Sequence, residues 1–474
     1  MSTNDPLQRI LHWLSPYDPI RAADLAEGVL LTGSPGSGKT SAVLKQLSLA
    51  MLRAGYGGLF LTARPDDTAN YIRYVEAAGR KDDLIVFSAT SGDYFDPLFY
   101  LFSRPGNAGG NLETVVDMFT TLLSIGRAHN DSSSDRFWEL AAEQLMRNAM
   151  VLLSLAEQPI SIVSINALID ALPARPGEHL TPEFQQSSHC TKVLTAIRER
   201  QEQLSPDQWS DAEVALNFAL HRWPTLDDRV RNSVLATWDG LANKFMFAPL
   251  GRIFSSGKCT LIPEMTTQGR KVIILDFPYL VAGETNRLVT CLTKLAFIQG
   301  WLGRDIHRYP EMAFIVSDEC QYHALPRGRD NFFMQTARGA RVISIAATQN
   351  LLNISEQFGE HDLGTKTKSW TANTGIKIAL QQNDPDTNEY YAKVVGREYK
   401  MLSSWNASEQ MNAGGHEHLA YIVEPDEFQR LHKPTAEQPL AEAIVIKGGE
   451  PFNITRTPQC PQGRNFLRVA FNRD

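Results

Sequence analysis

No apolar run in this 474-residue chain approaches the roughly 18 residues that a membrane-spanning helix needs. The longest, such as Ala149 to Leu155, has the length of a core helix. Met1 to Pro19 carry neither a basic n-region nor an apolar h-region, so no secretory leader is read there. The expectation is a cytoplasmic protein without direct membrane insertion, recruited at most peripherally to an inner membrane. Cysteine is scarce: Cys190, Cys259, Cys291, Cys320 and Cys460 are scattered, and no two form a CxxC pair. That spacing excludes a disulfide framework and a cysteine-built zinc site, leaving buried or idle thiols. His416-Glu417-His418 comes nearest to a metal cluster and is read as a solvated loop. Excess positive charge is missing too, with a net charge of −7. This counts against a broad nucleic-acid-coating surface, yet a narrow basic pore in a ring needs only a few Lys or Arg per subunit. An Asn/Thr-Lys-x-Asp base-reading motif is absent, because Asn243-Lys244 is followed by Phe245 and Met246.

What is present is a soluble globular composition, 43% hydrophobic and 21% charged, without repeats or low-complexity segments. The first third alternates short apolar strands with helices. Gly28–Leu31, Gly58–Leu61 and Leu84–Phe87 read as buried strands, and Thr40–Ala54 and Thr68–Ala78 as helices. This rhythm predicts a parallel sheet with both faces covered. From Leu112 to Phe254 the pattern is helical, with Phe137, Ala141, Leu145, Ala149 and Leu152 on one stripe and a polar break at Pro173–Ser188. Strands resume at Lys271–Leu275, Ala313–Val316, Val342–Ile345 and Gly375–Ala379, with a helix bearing Leu288, Leu292 and Leu295 between the first two. Ala443–Ile446 reads as a last edge strand before a ragged tail. The predicted architecture is one α/β nucleotide-binding domain interrupted by an all-α domain. Its parts are residues 1–110, a helical insertion at 111–255 and a second half at 256–474.

The chemistry starts at Gly33-Ser34-Pro35-Gly36-Ser37-Gly38-Lys39-Thr40, a complete phosphate-binding loop between a strand and a helix, with Ser41 next to it. Its glycines allow backbone N–H groups to turn onto phosphate oxygens at the positive end of the helix. Lys39 is placed to reach the β- and γ-phosphates and Thr40 to ligate Mg²⁺. Asp318-Glu319 at the tip of Ala313–Val316 supplies an acidic pair. In this reading Asp318 holds Mg²⁺ through water and Glu319 is the general base. Asp276, ending another strand, is the rival but brings no second carboxylate. Gln349, in Ala347-Thr348-Gln349-Asn350, is placed to sense the γ-phosphate or, on the bland reading, to cap a turn. Arg338 and Arg341 are candidates for a finger donated to a neighbour's γ-phosphate, with Arg327 and Arg329 as outside possibilities. Each has the alternative of an ordinary surface or helix-end arginine.

These pieces, in this order, resemble the TraD/TraG-type conjugative coupling ATPases of type IV secretion, within the HerA/FtsK class of motors. The resemblance extends over about Gly28 to Val423 and includes Asp96-Pro97-Leu98, Phe137-Trp138 with Ala141 and Ala142, and Ile274-Leu275-Asp276-Phe277-Pro278. It continues through Asp318-Glu319-Cys320-Gln321, Ala337-Arg338 and Ala347–Asn350. Lys377-Ile378-Ala379, Asp386-Thr387, Tyr390, Gly396 and Arg397 complete it. The resemblance implies a RecA-like P-loop fold, a hexameric ATPase using ATP and Mg²⁺, and DNA moved through a central channel. It also implies a helical domain that meets a relaxosome or secretion-system component. Coupling proteins usually begin with transmembrane helices, and none is read in this sequence. The competing readings are an ATPase adaptor that recruits a protein or nucleoprotein, a soluble motor in DNA processing or phage defence, and a small-molecule kinase or GTPase.

Overall fold

A computed structural model describes residues 5–104, 112–125, 133–405 and 413–473. An N-terminal hairpin, β1 (Ile10–Ser15) and β2 (Asp18–Arg21), precedes the main sheet. The strands β3 (Val29–Thr32), β4 (Gly57–Leu61) and β5 (Leu84–Phe87) alternate with helices Lys45–Arg53 and Asp67–Ala77. After the helical region come β6 (Val272–Leu275), β7 (Ala313–Ser317), β8 (Val342–Thr348) and β9 (Ile376–Ala379). A second hairpin, β10 (Arg397–Trp405) with β11 (Ala413–Tyr421), is followed by β12 (Leu440–Lys447) and β13 (Phe466–Asn472).

The main sheet has nine strands in the order β13-β12-β9-β3-β8-β7-β4-β6-β5. From β9 to β5 every pairing is parallel, while β12 and β13 close the far side antiparallel. β8 inserts between β3 and β7, so the strand leading into Gln349 lies between the phosphate loop and the acidic pair. The register puts Thr32 opposite Thr348, Ala346 opposite Ser317, and Ser317 opposite Leu61. All these strands therefore end at one level, the edge where ligands bind in open parallel sheets.

Period-two alternation sends successive side chains to opposite faces of the sheet. Leu59, Leu61, Ile273, Leu275 and Ile315 join one core. Phe60, Val272, Ile274, Phe314 and Val316 join the other, with Val43, Leu47 and Met51 from the helix after the phosphate loop. Burying each large apolar side chain contributes about 1.5–3 kcal/mol.

The helical region includes Leu112–Leu123, Ser133–Leu155, Ile162–Asp170, His189–Glu199, Pro206–Asn217 and Asp228–Met246. Its interior residues Phe119, Leu145, Trp238, Phe245 and Phe254 belong to the same cluster as Leu61 and Leu275, so it grows out of one face of the sheet. Asp96-Pro97-Leu98 ties its neck. Pro97 opens helix Pro97–Ser103, and the buried Asp96 carboxylate accepts from the N–H groups of Leu98 and Phe99 at 3.1 Å each. Its second oxygen accepts from Gly257 N–H at 3.0 Å, where the chain returns.

Three elements differ from the sequence reading. β12 is an interior strand, because β13 in the expected tail pairs along its outer side. The hairpin β1–β2 is additional. His416-Glu417-His418 lies in β11 rather than a loop, with Leu402, Met401 and Lys400 as its register partners. Hairpin pairing with β10 overrides a local Gly-rich composition. Among the described residues no helix is long and apolar enough to cross a membrane.

Candidate functional site

The residues after Thr32 loop over the end of β3. Gly36 and Gly38 take φ of 76° and 90°, the left-handed region that glycine enters without a Cβ penalty. At Gly38 an added Cβ would also fall 2.6 Å from that of Ala441. Lys39 opens the helix with a wide turn, Lys39–Leu44, which continues as Lys45–Arg53. The loop is braced from outside: Ser34 N–H donates to the Gln381 carbonyl at 2.8 Å, and the Lys433 ammonium donates to the Pro35 carbonyl at 3.1 Å. Ser34 Oγ also donates to the Gln381 side chain. Ser41 sits exposed on the first helical turn.

Asp318, Glu319 and Gln349 converge on Lys39 and Thr40 of this loop. Thr40 Oγ1 donates to Asp318 Oδ2 at 2.5 Å. Lys39 Nζ donates to the Gly33 carbonyl at 3.2 Å and stands 3.9 Å from Glu319 Oε1. Gln349 Nε2 donates to the same Glu319 oxygen at 3.3 Å. Glu319 itself adopts φ of 49°, a strained backbone for a non-glycine residue that costs about 1–3 kcal/mol. That turn swings its carboxylate back over the strand ends.

The two carboxylates differ electrically. Burial raises Asp318 above the usual carboxylate range, opposed by Lys39 and the Thr40 hydroxyl and reinforced by Glu319. Burial works against Glu319 as well, but Lys39, the Gln321 amide, Arg64 and Gln349 together hold it below that range. Asp318 is thus a buried oxygen donor short of positive charge beside a hydroxyl, the hard-oxygen chemistry that suits Mg²⁺. Among the described residues the buried Ser37 hydroxyl has no partner, an orphaned polar atom inside a loop shaped for phosphate. These residues fit a Mg²⁺-nucleotide.

Two supports were not legible in the sequence. Arg64, just past β4, donates from Nη2 to Glu319 Oε1. A cation one step beyond the tip of a strand adjoining the acidic strand would have been its signal. His323 is buried between strand tips: its Nδ1 accepts from Ser317 Oγ at 2.6 Å and its Nε2–H donates to the Thr62 carbonyl at 3.1 Å. Burial drives its pKa down to about 3, so it is a neutral strut rather than a proton carrier.

The arginine candidates lie elsewhere. Arg338 and Arg341 precede β8 and so sit at the opposite end of the sheet from the phosphate loop. Arg338 is exposed and paired with Glu27, whereas Arg341 donates to the Pro310 carbonyl at 2.8 Å. Arg329 pairs with Asp117 of the helical region. Asp276 accepts from Thr68 Oγ1 at 2.7 Å, anchoring the helix after β4. Among the described residues no group of three or more His, Cys, Asp or Glu could hold a metal ion.

A phosphate loop, an acidic pair two strands away and a polar amide on the strand between belong to a RecA-like P-loop fold carrying a helical domain. Residues 315–433 match the family model described as the TraM recognition site of TraD and TraG. Beyond that stretch, the described residues of the chain share their fold with solved conjugative coupling proteins. Its unbound structural relative, "Bacterial conjugative coupling protein TrwBdeltaN70", is 12% identical with a TM-score of 0.63, covering 100% of this chain and 92% of that one. The plasmid coupling protein TrwB in complex with ADP and Mg²⁺ is 13% identical with a TM-score of 0.55, at 100% and 92% coverage. TrwB with a non-hydrolysable ATP analogue is 12% identical with a TM-score of 0.57, at 100% and 93% coverage. No curated protein matches the sequence.

Proposed function

We propose that this chain is an ATP-hydrolysing, DNA-translocating coupling motor for conjugative transfer or mobilisation, working as a homo-hexameric ring. The observation that carries the reading is the convergence of Lys39, Thr40, Asp318, Glu319 and Gln349 at one sheet edge. TrwB, a plasmid coupling protein with this fold and a complex with ADP and Mg²⁺, supports it. In this reading Gly33 to Ser41 bind the phosphates, and Thr40 and Asp318 hold Mg²⁺. When bound, the nucleotide supplies the phosphoanhydride to be cleaved and the metal neutralises its developing charge. Glu319 takes the proton of the attacking water at its carboxylate, and Gln349 orients that carboxylate and the water. Arg338, exposed and at the far end of the sheet, is the side chain we assign to a neighbouring subunit, with Arg341 as the second candidate. Residues 1–110 and 256–474 form the nucleotide-binding domain around the insertion 111–255. The description of the matched segment supports a relaxosomal nucleoprotein partner. We assign its contact to the exposed faces of residues 315–433 and of the helical domain.

The test is ATP hydrolysis with and without DNA for wild type, Lys39→Ala and Glu319→Gln. DNA should stimulate the wild type and Lys39→Ala should abolish turnover. Glu319→Gln should lower it about 10²–10⁴-fold while still binding a labelled ATP analogue. Hydrolysis indifferent to DNA at every salt concentration would reject a DNA motor.

A further inference from the structure

Glu319 Oε1 is a crowded atom. Lys39 faces it from the phosphate loop at 3.9 Å, Gln349 donates to it from the tip of β8 at 3.3 Å, and Arg64 donates to it from the tip of β4. The other oxygen, Oε2, takes Gln321 Nε2 at 2.9 Å. A general base needs a lone pair aimed at water. Here the oxygen nearest the phosphate loop already accepts from two donors, with the ammonium of Lys39 close by.

The partners of that oxygen differ in freedom. The Glu319 side chain is 3% exposed and locked on both oxygens, whereas the Arg64 side chain is 41% exposed. The Arg64 backbone is nonetheless fixed, since the Asp67 carboxylate accepts from the N–H groups of Ala63 and Arg64 at 2.8 Å each. Arg64 is therefore a guanidinium on a fixed backbone whose half-exposed side chain holds Glu319. Arg64 and Lys39 share Oε1 as their common neighbour. A polyanion drawn to Lys39 arrives beside Arg64 and competes with Glu319 for it, and guanidinium pairs at least as well with phosphate as with carboxylate.

We propose that Arg64 is a positioning residue that latches Glu319 until a nucleoside triphosphate is bound. With the terminal phosphate absent, Arg64 occupies the Glu319 oxygen and keeps the base idle. With that phosphate present, Arg64 transfers to it and Glu319 Oε1 is released towards water. A diphosphate leaves Arg64 on Glu319. The latch rests on the ATPase reading above, and it adds a discriminating contact from β4 in the same subunit.

The experiment is equilibrium binding of ADP and of a non-hydrolysable ATP analogue, each with Mg²⁺, to wild type, Arg64→Ala and Arg64→Lys, with melting temperatures in parallel. Wild type should prefer the ATP analogue. Arg64→Ala should lose roughly tenfold or more of that preference, the size of one charge-assisted hydrogen bond, through weaker analogue binding at unchanged ADP binding. Arg64→Lys should restore part of it. Should Arg64→Ala fail to fold, Arg64→Gln keeps a donor for Glu319 without the charge and should show the same loss at a near-native melting temperature. Equal shifts for both nucleotides, or none, would mean that Arg64 only neutralises a buried carboxylate, and would overturn the latch alone. A wild type that binds neither nucleotide overturns the ATPase reading and the latch together.

Discussion

Lys377 offers a direct measurement of what a buried charge costs in the strand beside β3. It lies in β9, in register with Leu30 of β3 on one side and Ile446 of β12 on the other. Its side chain is buried, and its ammonium donates to the Thr374 carbonyl at 2.6 Å. Burial pushes its pKa from 10.5 down to about 8. Below pH 8 both folded and unfolded chains carry the proton, and the folded state bears the full cost of a charge out of water. Between pH 8 and 10.5 the unfolded chain keeps a proton that the folded chain has released, so stability climbs with pH. At about 1.4 kcal/mol per pH unit the cost at pH 7 is roughly 3 kcal/mol. Lys377→Met removes it but forfeits one hydrogen bond of about 1 kcal/mol, leaving a net gain of about 2 kcal/mol at pH 7. By pH 9.5 most of the cost has gone in the wild type, and the gain should shrink to near zero. Urea unfolding of both proteins at the two pH values isolates the difference, because every other titrating group is common to them. A variant no more stable at pH 7, or equally stabilised at both, would refute a charged Lys377 in a dry strand.

The buried pair Lys294–Asp330, 2.6 Å apart, also accepts and donates to the loop after Glu319, through the His323 carbonyl and the Leu325 N–H. Asp330→Ala strands both Lys294 and Leu325 N–H and should cost about 3–5 kcal/mol, whereas Lys294→Met with Asp330→Leu removes the lone charge and should recover that part, leaving the cost of the unpaired Leu325 N–H, read by thermal unfolding. Gly38→Ala combines a positive φ with a 2.6 Å contact to Ala441. It should abolish binding of a labelled ATP analogue while leaving the far-UV circular dichroism intact, and retained affinity would refute the loop geometry.

What could be read from the sequence divides along a physical line. The phosphate loop is legible because backbone N–H groups can turn onto an oxyanion only where glycines permit it, so the constraint is local and written in consecutive residues. The acidic pair is legible because an apolar run must stop where its strand leaves the core, and Asp318-Glu319 stand at that stop. Buried strands such as Val272–Leu275 announce themselves by composition alone. Their order does not, because inserting β8 between β3 and β7 is decided by pairings among residues some three hundred positions apart, as at Val29 and Ile345. β13 stayed hidden for a related reason. Phe466–Asn472 has one face on the core and the other in water, follows a Gly- and Pro-rich stretch, and becomes a strand through β12. Arg64 is the functional counterpart. Nothing near it in sequence is acidic in the right direction, since Asp67 binds backbone rather than the guanidinium. Its partner, Glu319, lies 255 residues away and reaches it only because Glu319 adopts a left-handed turn. A side chain whose role depends on strand adjacency and on one unusual φ leaves no periodicity and no motif, which is why it had to be found in three dimensions.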